Sequence, residues 1–423
     1  MLDLIISAVQ AIMQVMIIVL VGAILYSKGY IDNEKQKWLS KLNLFFFTPC
    51  LLFSNIASVI SFEKLLAFWP IPFFYFLFIL LSWTLCQTVI PMFGVDKYYK
   101  RFILACVMFS NANSLPVAII SSLAVSEAGK TLYWGSDDSQ DMVAARGISY
   151  TLFFGLFCNL LRWSYGYNLL QKKDQDDDTI VNDTNSTKFN KYGAVSDTSR
   201  RSSASTMIEP SNVDLEVTRV VSDDEMTSLV EKQPTPLLTR IFKSIDKYMS
   251  PPLYAALLAL FVGLCPPIKR LLYNRDSFFY ASVTKAIESC GKASVPIVLV
   301  CLGAQLKNIR ETQHDNSPRY RQPVSLSIFI RMVLTPLCLL PIVYVFAAYG
   351  LRWSELASDP MFIVSMIVVG CTPTAINLAQ ITQVSGVFEK EMLNVLFWSY
   401  GVICIPVCTL VVFLALYMVN SMN

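Results

Sequence analysis

The sequence predicts an all-α polytopic membrane protein with ten transmembrane helices, arranged as two inverted five-helix repeats. Three observations predict this class. The 423-residue chain is 54% hydrophobic and only 15% charged, whereas soluble domains carry about 25% charged residues. Apolar segments long enough to cross a bilayer recur along almost the whole chain. Similar motifs also return in the same order five segments later, and an odd number of crossings inverts the second copy.

The ten apolar segments divide equally between residues 1–170 and residues 251–423. Each is close to the ~20 residues that a ~30 Å hydrocarbon core requires, and the sixth is marginal. The first five are residues 4–27, 37–59, 67–93, 101–125 and 144–170. The second five are residues 251–269, 281–308, 323–350, 360–384 and 389–419.

A polar stretch, residues 171–250, separates the two halves. It is rich in Asp, Ser, Thr and Asn, and such a composition buries too little apolar surface to fold alone, so we expect a disordered linker. Its RRSSAS segment suggests phosphorylation at Ser202 or Ser203 by a basic-directed kinase, and a merely solvated linker is an equal alternative. The TPLLTRIFKSIDKYMS segment has helical spacing of apolar residues and is expected to lie on the membrane surface.

Charge predicts the orientation of the chain. Lys and Arg are concentrated in the loops after the first, third, fifth, seventh and ninth segments, so these loops are expected in the cytosol. Both termini then face the lumen or the outside, and the linker is cytosolic. The linker sequons at Asn182 and Asn185 should consequently remain unglycosylated.

The fourth and ninth segments are both interrupted by polar residues and proline, in FSNANSLPVAI and GCTPTAINLAQITQ. Proline removes a backbone donor, so a broken helix in a membrane must be buried in protein or line water. Two such breaks in inverted halves can cross near the bilayer midplane, where the half-helix N-termini favour an anion. The predicted neutral hydrogen-bonding groups are Asn111, Asn113 and Ser114 in the first segment, and Thr372, Thr374, Asn377 and Gln380 in the second.

An alternative is that these side chains only satisfy the broken backbone or hold helices together. Neither interrupted segment contains Asp or Glu, which argues against a cation site at the crossing. The pattern favours an anion or a neutral polar solute.

Few other charges fall within apolar segments. Glu288 and Lys292 have the i, i+4 spacing of a helical ion pair, and we expect them to pair and to support an anion or relay a proton. Arg331 lies deep in the eighth segment and is a further functional candidate. Arg162 lies near a segment end, where snorkelling to the membrane surface is the simpler expectation.

Other classes of site find little support. The eleven cysteines all fall in apolar segments without a CxxC pair, so buried apolar thiols are expected and a disulfide framework is not. The single histidine, His314, and the scattered acidic residues predict neither a metal site nor a cofactor. No nucleophile–base motif predicts an enzyme, and no basic stripe with aromatic residues predicts a nucleic-acid partner.

The motifs resemble those of the auxin efflux carrier superfamily, and within it the PIN-LIKES branch and its fungal relatives. The resemblance rests on FSNANSLPVAI, on GKASVPIVLVCLGAQL, and on GCTPTAINLAQITQVSG followed by LFWSYG. FTPCLLFSNIA and RWSYGYN look closest to uncharacterised fungal members. It covers both membrane halves, and it departs from the long plasma-membrane PIN proteins in both crossover motifs and in the shorter linker.

The resemblance implies two inverted five-helix repeats with a scaffold part and a transport part, and a homodimer. It implies residence in the endoplasmic reticulum and carriage of indole-3-acetic acid or similar small organic anions. The carboxylate-binding amides would be Asn111 and Asn377, beside Pro116 and Pro373.

These inferences combine into a secondary carrier that works by alternating access, driven by the substrate gradient and the membrane potential. One alternative couples the carrier to protons through Glu288 and Lys292. Another is a non-transporting membrane receptor or regulator with the linker as its signalling element.

Overall fold

The computed structural model describes residues 2–135, 137–172, 249–312 and 321–422. This described part is all-helical, apart from a two-residue bridge at its centre, and its long apolar helices confirm a polytopic membrane protein. The two halves form one compact unit. The linker residues Ser202, Ser203, Asn182 and Asn185, almost all of the expected surface helix, and His314 lie outside the described residues.

Thirteen principal helices build the described part of the molecule. In the first half they are α1 (Leu2–Ser27), α2 (Asn33–Val59), α3 (Pro70–Met92), α4 (Lys97–Met108), α5 (Ser114–Val125) and α6 (Gln140–Leu169). In the second half they are α7 (Pro251–Leu264), α8 (Pro266–Tyr273), α9 (Tyr280–Asn308), α10 (Arg321–Arg352), α11 (Pro360–Cys371), α12 (Asn377–Ser385) and α13 (Glu389–Met422).

Six of these helices, within the described residues, are long and apolar enough to cross a membrane: α2, α3, α6, α9, α10 and α13. Helices α7 and α8 make a further pair, bent by 102°, where the sequence predicts the marginal sixth segment. The bend follows from the Pro266–Pro267 pair, because proline cannot continue the hydrogen bonding of α7. The interrupted segments appear as the short pairs α4–α5 and α11–α12.

Local sequence explains where the helices begin and end. Asp32 caps α2 by accepting the Lys35 N–H at 2.8 Å, as short polar side chains do at helix N-termini. Thr372, which precedes Pro373, has φ −67° and ψ 149°, the extended backbone that a following proline imposes, so α11 stops there. Gly386 closes α12 in the left-handed region with φ 73°, which glycine adopts without steric cost.

Helices of the two halves pack against each other in pairs, which we call exchanged packing. Helix α1 lies along α9, and α7 lies along the second half of α2. Glycines allow the close approach of α1 and α9, because a Cβ on Gly22 would overlap the Val300 carbonyl and one on Gly303 would overlap the Val19 carbonyl. Small residues at such crossings let membrane helices gain backbone contact.

We predict that Gly303→Ala separates α1 from α9 and lowers the melting temperature of the purified protein, because the new methyl group meets rigid backbone. Gly401→Ala is the matched control, since its Cβ would meet only the Met16 side chain at 3.8 Å and alanine is the better helix former. Thermal unfolding in detergent measures both. Equal melting temperatures for the two variants would contradict the close crossing.

A buried ionic network fastens the start of α11 to α6. Asp359 is fully buried and accepts from the Tyr150 hydroxyl at 2.7 Å and from Arg146 Nε at 3.2 Å. Arg146 also pairs with Asp138 at 2.7 Å. Burial opposes ionisation of Asp138, but the Trp134 N–H and the Arg146 guanidinium more than offset this and lower its pKa.

We predict that Arg146→Met destabilises the protein by about 3 kcal/mol, because it leaves the Asp359 carboxylate buried without its cation. Arg275→Met, at an exposed position, should change little. Thermal unfolding should also show Arg146→Met/Asp359→Asn to be more stable than Arg146→Met alone. If removing the second charge gives no recovery, the network does not act electrostatically.

Candidate binding site

The two interrupted helix pairs cross each other through their breaks. Ser110 and Thr374 form an antiparallel bridge. The Asn111 N–H donates to the Pro373 carbonyl at 2.9 Å, and the Ala375 N–H donates to the Phe109 carbonyl at 2.9 Å. Each break thus supplies hydrogen-bond partners to the other, as the lack of water in a bilayer requires.

Arg331 completes this backbone pairing from α10. Its guanidinium is fully buried and donates to the carbonyls of Thr372 at 2.9 Å and of Val107 and Val369 at 3.4 Å. These carbonyls lie at the C-terminal ends of α4 and α11, where the helix dipole is negative. The sequence places Arg331 deep in the eighth segment, and its burial agrees with this. Its guanidinium also lies 4.8 Å from the centroid of the Phe78 ring.

Arg162 plays a similar part from α6, and the expectation that it snorkels to the surface is wrong. It is 2% exposed and donates to the Ser110 carbonyl at 2.9 Å and to Asn159 Oδ1 at 3.2 Å. Arg162 and Arg331 both lie in π-helical turns. The extra residue in such a turn reorients the side chains near it.

Tyr400 joins the two breaks from α13. Its hydroxyl accepts from Asn111 Nδ2 at 2.9 Å and donates to the Thr374 carbonyl at 3.0 Å. Asn111 also lies 3.2 Å from the Ser114 hydroxyl. The Asn111 amide is therefore engaged within the protein, where it is 7% exposed.

Helices α5 and α12 both begin beside the bridge. Ser114, the first residue of α5, is exposed, and Asn113 before it is half-buried. Asn377, the first residue of α12, is also half-buried. Pro116 is the third residue of α5 and removes one backbone donor there. Two positive helix ends and three accessible polar side chains therefore lie within a few residues of the crossing.

Asn113 also lines a small cavity between α2, α5 and α6. Asn55 and Asn159 line the same cavity, together with apolar side chains such as Val59 and Phe153. Gly155 makes room for Asn113, because a Cβ there would lie 2.5 Å from Asn113 Oδ1. The cavity has a volume of about 10 Å³, which is room for about one water molecule.

The other predicted site residues are buried and engaged. Thr372 donates to the Val369 carbonyl at 2.9 Å, and Thr374 donates to the Cys106 carbonyl at 2.9 Å. Gln380 Nε2 donates to the Thr48 hydroxyl at 3.1 Å, which joins α12 to α2. Pro373 is buried in the break itself.

A second polar contact closes the same side of α12. The Ser40 hydroxyl donates to Gln383 Oε1 at 2.9 Å, and Gln383 Nε2 donates to Gln305 Oε1 at 3.1 Å. Gln305 Nε2 in turn donates to the Glu389 carboxylate. We call this chain of four side chains the amide relay; it links α2, α9, α12 and α13.

The expected pair between Glu288 and Lys292 is wrong. Glu288 instead bonds Lys285 at 3.1 Å, and Lys292 is exposed on α9. Both i−3 and i+4 neighbours are within reach of a helical carboxylate, so spacing alone did not select the partner.

Sequence reasoning missed several residues that shape the site: Asn55, Asn159, Tyr400 and the members of the amide relay. A usable signal was present for some of them. Tyr400 lies in the FWSYGV motif that matches RWSYGY, and polar residues within apolar segments mark buried contacts.

All eleven cysteines, which lie in the described part, are free thiols.

Comparisons with known proteins agree with this architecture. The family model described as membrane transport protein matches residues 7–412. A protein named as an uncharacterised transporter from Schizosaccharomyces pombe is 32% identical over 97% of this chain and 95% of its own length. Another so named, from Saccharomyces cerevisiae, is 31% identical over 98% of this chain and 96% of its own length.

Plant proteins match as well. Arabidopsis thaliana Protein PIN-LIKES 1 is 24% identical over 95% of this chain and 77% of its own length. The family match covers almost the whole chain and both fungal identities exceed 30% over nearly full length, so the chain belongs to the membrane transport protein family of auxin efflux carriers.

Proposed function

We propose that this membrane transporter is a secondary carrier of a small organic anion, an auxin-like carboxylate such as indole-3-acetic acid. The observation that carries the proposal is the pair of half-helix N-termini beside the Ser110–Thr374 bridge. Their partial positive charge attracts a carboxylate, and Asn113, Ser114 and Asn377 add neutral donors.

The ligand is an anion because the crossing has positive ends and no acidic side chain. Residues 109–114 and 372–377 contain neither Asp nor Glu. The arginines Arg162 and Arg331 are committed to backbone carbonyls. The carboxylate is therefore held by dipoles and amides, which bind it without a fixed ion pair that would slow its release.

The ten-span inverted repeat is part of the proposal. The six long helices, the bent pair α7–α8, α1, and the broken pairs α4–α5 and α11–α12 correspond to the ten segments in order. Exchanged packing supports the inversion, because α1 lies on α9 as α7 lies on α2. The π-helical turns at Arg162–Gly166 and Ser399–Ile403 overlap the repeated motifs RWSYGY and FWSYGV.

Alternating access is supported by an asymmetry between the two crossover halves. The amide relay and the Gln380–Thr48 contact close α12 against α2 and α9. On the other side, Asn113, which precedes α5, lines a cavity of about 10 Å³ with residues of α2 and α6. We propose that the two sides exchange these arrangements as α4–α6 and α10–α13 rock against a scaffold of α1, α2, α7 and α9.

The substrate gradient and the membrane potential drive transport in this proposal. The alternative of proton coupling through Glu288 and Lys292 loses its geometric basis, because Glu288 pairs with Lys285 and Lys292 is exposed.

We predict that Asn113→Ala and Asn377→Ala each reduce saturable uptake of labelled indole-3-acetate into proteoliposomes by about tenfold, since a hydrogen bond to a charged group contributes about 1.5–3 kcal/mol. Gly155→Ala should act similarly by displacing the Asn113 side chain. Asn168→Ala, which removes an amide bonded to the Ser164 carbonyl, is the control. If uptake survives in both crossing variants, Asn113 and Asn377 do not form the binding site. If folded wild-type protein takes up no indole-3-acetate, that molecule is not the substrate.

We further propose that the protein resides in the endoplasmic reticulum as a homodimer, with the linker in the cytosol and accessible to a kinase at Ser202 or Ser203. The PIN-LIKES similarity and the side on which the basic loops fall support this arrangement. In microsomes, Asn182 and Asn185 should carry no glycan, whereas a sequon engineered after Ser126, in the loop before α6, should be modified. Glycan on the natural sequons, detected as endoglycosidase-sensitive mobility, would show that the topology is opposite to the one proposed.

A further inference from the structure

A groove of about 680 Å³ lies between α10 and α13, away from the crossing. Residues from both helices line it: Arg321, Val324, Ser325, Ile328, Phe329 and Val333 from α10, and Asn394, Trp398 and Ile403 from α13. Both helices are long enough to span the membrane. Phe329, Val333 and Trp398 are each more than 40% exposed, so the groove opens toward the bilayer.

The groove changes character along its length. Arg321, Ser325 and Asn394 are at the end where both helices begin, whereas Val333 and Ile403 lie two to three turns further along. From Arg321 to Val333 the helix rises about 18 Å. Half of a ~30 Å hydrocarbon core is about 15 Å, so the groove has the length of one leaflet, with its polar end at the membrane surface.

The polar end has a positive character. Arg321 lines this end of the groove, on the side of the membrane that the basic loops predict to be cytosolic. The acidic residues Glu389 and Glu391 at the start of α13 do not line the groove, and Glu389 is engaged by Gln305. Basic pockets between transmembrane helices on this side are suited to anionic headgroups.

Asn394 adds a second requirement. Its Nδ2 donates one hydrogen to the Lys390 carbonyl at 2.9 Å, which leaves the second amide hydrogen and the Oδ1 acceptor for a ligand. The Ser325 hydroxyl donates to its own helix, at 2.9 Å to the Arg321 carbonyl, and its oxygen can also accept. A headgroup that combines an anionic phosphate with N–H or O–H donors matches these groups.

We propose that this groove is a binding site for an anionic phospholipid of the cytosolic leaflet, such as phosphatidylserine. The phosphate lies at Arg321, the headgroup donors face Ser325 and Asn394, and one acyl chain follows Ile328, Phe329 and Trp398. The site is separate from the crossing, so it does not depend on the proposed substrate.

Trp398 provides a direct readout of occupancy. The protein in nanodiscs is titrated with phosphatidylserine brominated on its acyl chains, and in parallel with brominated phosphatidylcholine. The quenching that is lost in Trp398→Phe isolates this residue from the other six tryptophans of the chain. We expect saturable quenching at a low mole fraction of the brominated phosphatidylserine and weaker, unsaturated quenching by the phosphatidylcholine.

Arg321→Gln should weaken the phosphatidylserine response about fivefold, the effect of one basic residue near the surface. Arg352→Gln, at the other end of α10, is the matched control and should leave it unchanged. Ser325→Trp keeps every charge but fills the polar end of the groove, and should weaken quenching too. Equal quenching by both lipids, or an unchanged Arg321→Gln, would overturn the proposal, as would cross-linking of Phe329→Cys between two copies, which would show another protein molecule there.

Discussion

A broken transmembrane helix must find partners for its free backbone groups without water, and the rest of this structure depends on how that requirement is met. Neither break is complete alone, because the Asn111 and Ala375 N–H groups bond to carbonyls of the opposite segment. The carbonyls left over at the ends of α4 and α11 receive Arg331. The two helices therefore break together and at matched positions, and the crossing becomes a fixed object around which other helices pack.

This arrangement separates polar residues that hold the crossing from those that are available to a ligand. Asn111, Thr372 and Thr374 are engaged by the protein, whereas Asn113 and Asn377 lie at the accessible helix ends. Both groups come from the same short motifs. An amide in such a motif is thus not by itself a binding residue; its position relative to the half-helix N-terminus decides which role its hydrogen bonds can serve.

The sequence predicted the class, the two breaks and the depth of Arg331, because proline and buried charge have few acceptable environments in a bilayer. It could not distinguish Asn111 from Asn113, because extended backbone would place residues two apart on the same side, whereas the chain bends at Asn113, with φ −118° and ψ −83°. It could not choose Lys285 over Lys292 as the partner of Glu288, since both are helical neighbours. It also assigned Arg162 to the surface, because its nearness to a segment end says nothing about the carbonyl of Ser110 that it reaches across the fold.

The amide relay gives the approximate free energy needed to separate α12 and α13 from α2 and α9 in the proposed mechanism. Four contacts join α12 and α13 to α2 and α9: Ser40–Gln383, Gln383–Gln305, Gln305–Glu389 and Thr48–Gln380. Hydrogen bonds between membrane helices average about 0.6 kcal/mol, so breaking all four costs about 2 kcal/mol before any new contact forms. One elementary charge moved through 100 mV is worth about 2.3 kcal/mol. In the proposed alternating-access mechanism, a closure of this strength seals one side but can be reversed by the proposed anion and the membrane potential, whereas a cluster of buried ion pairs at the same place could not be.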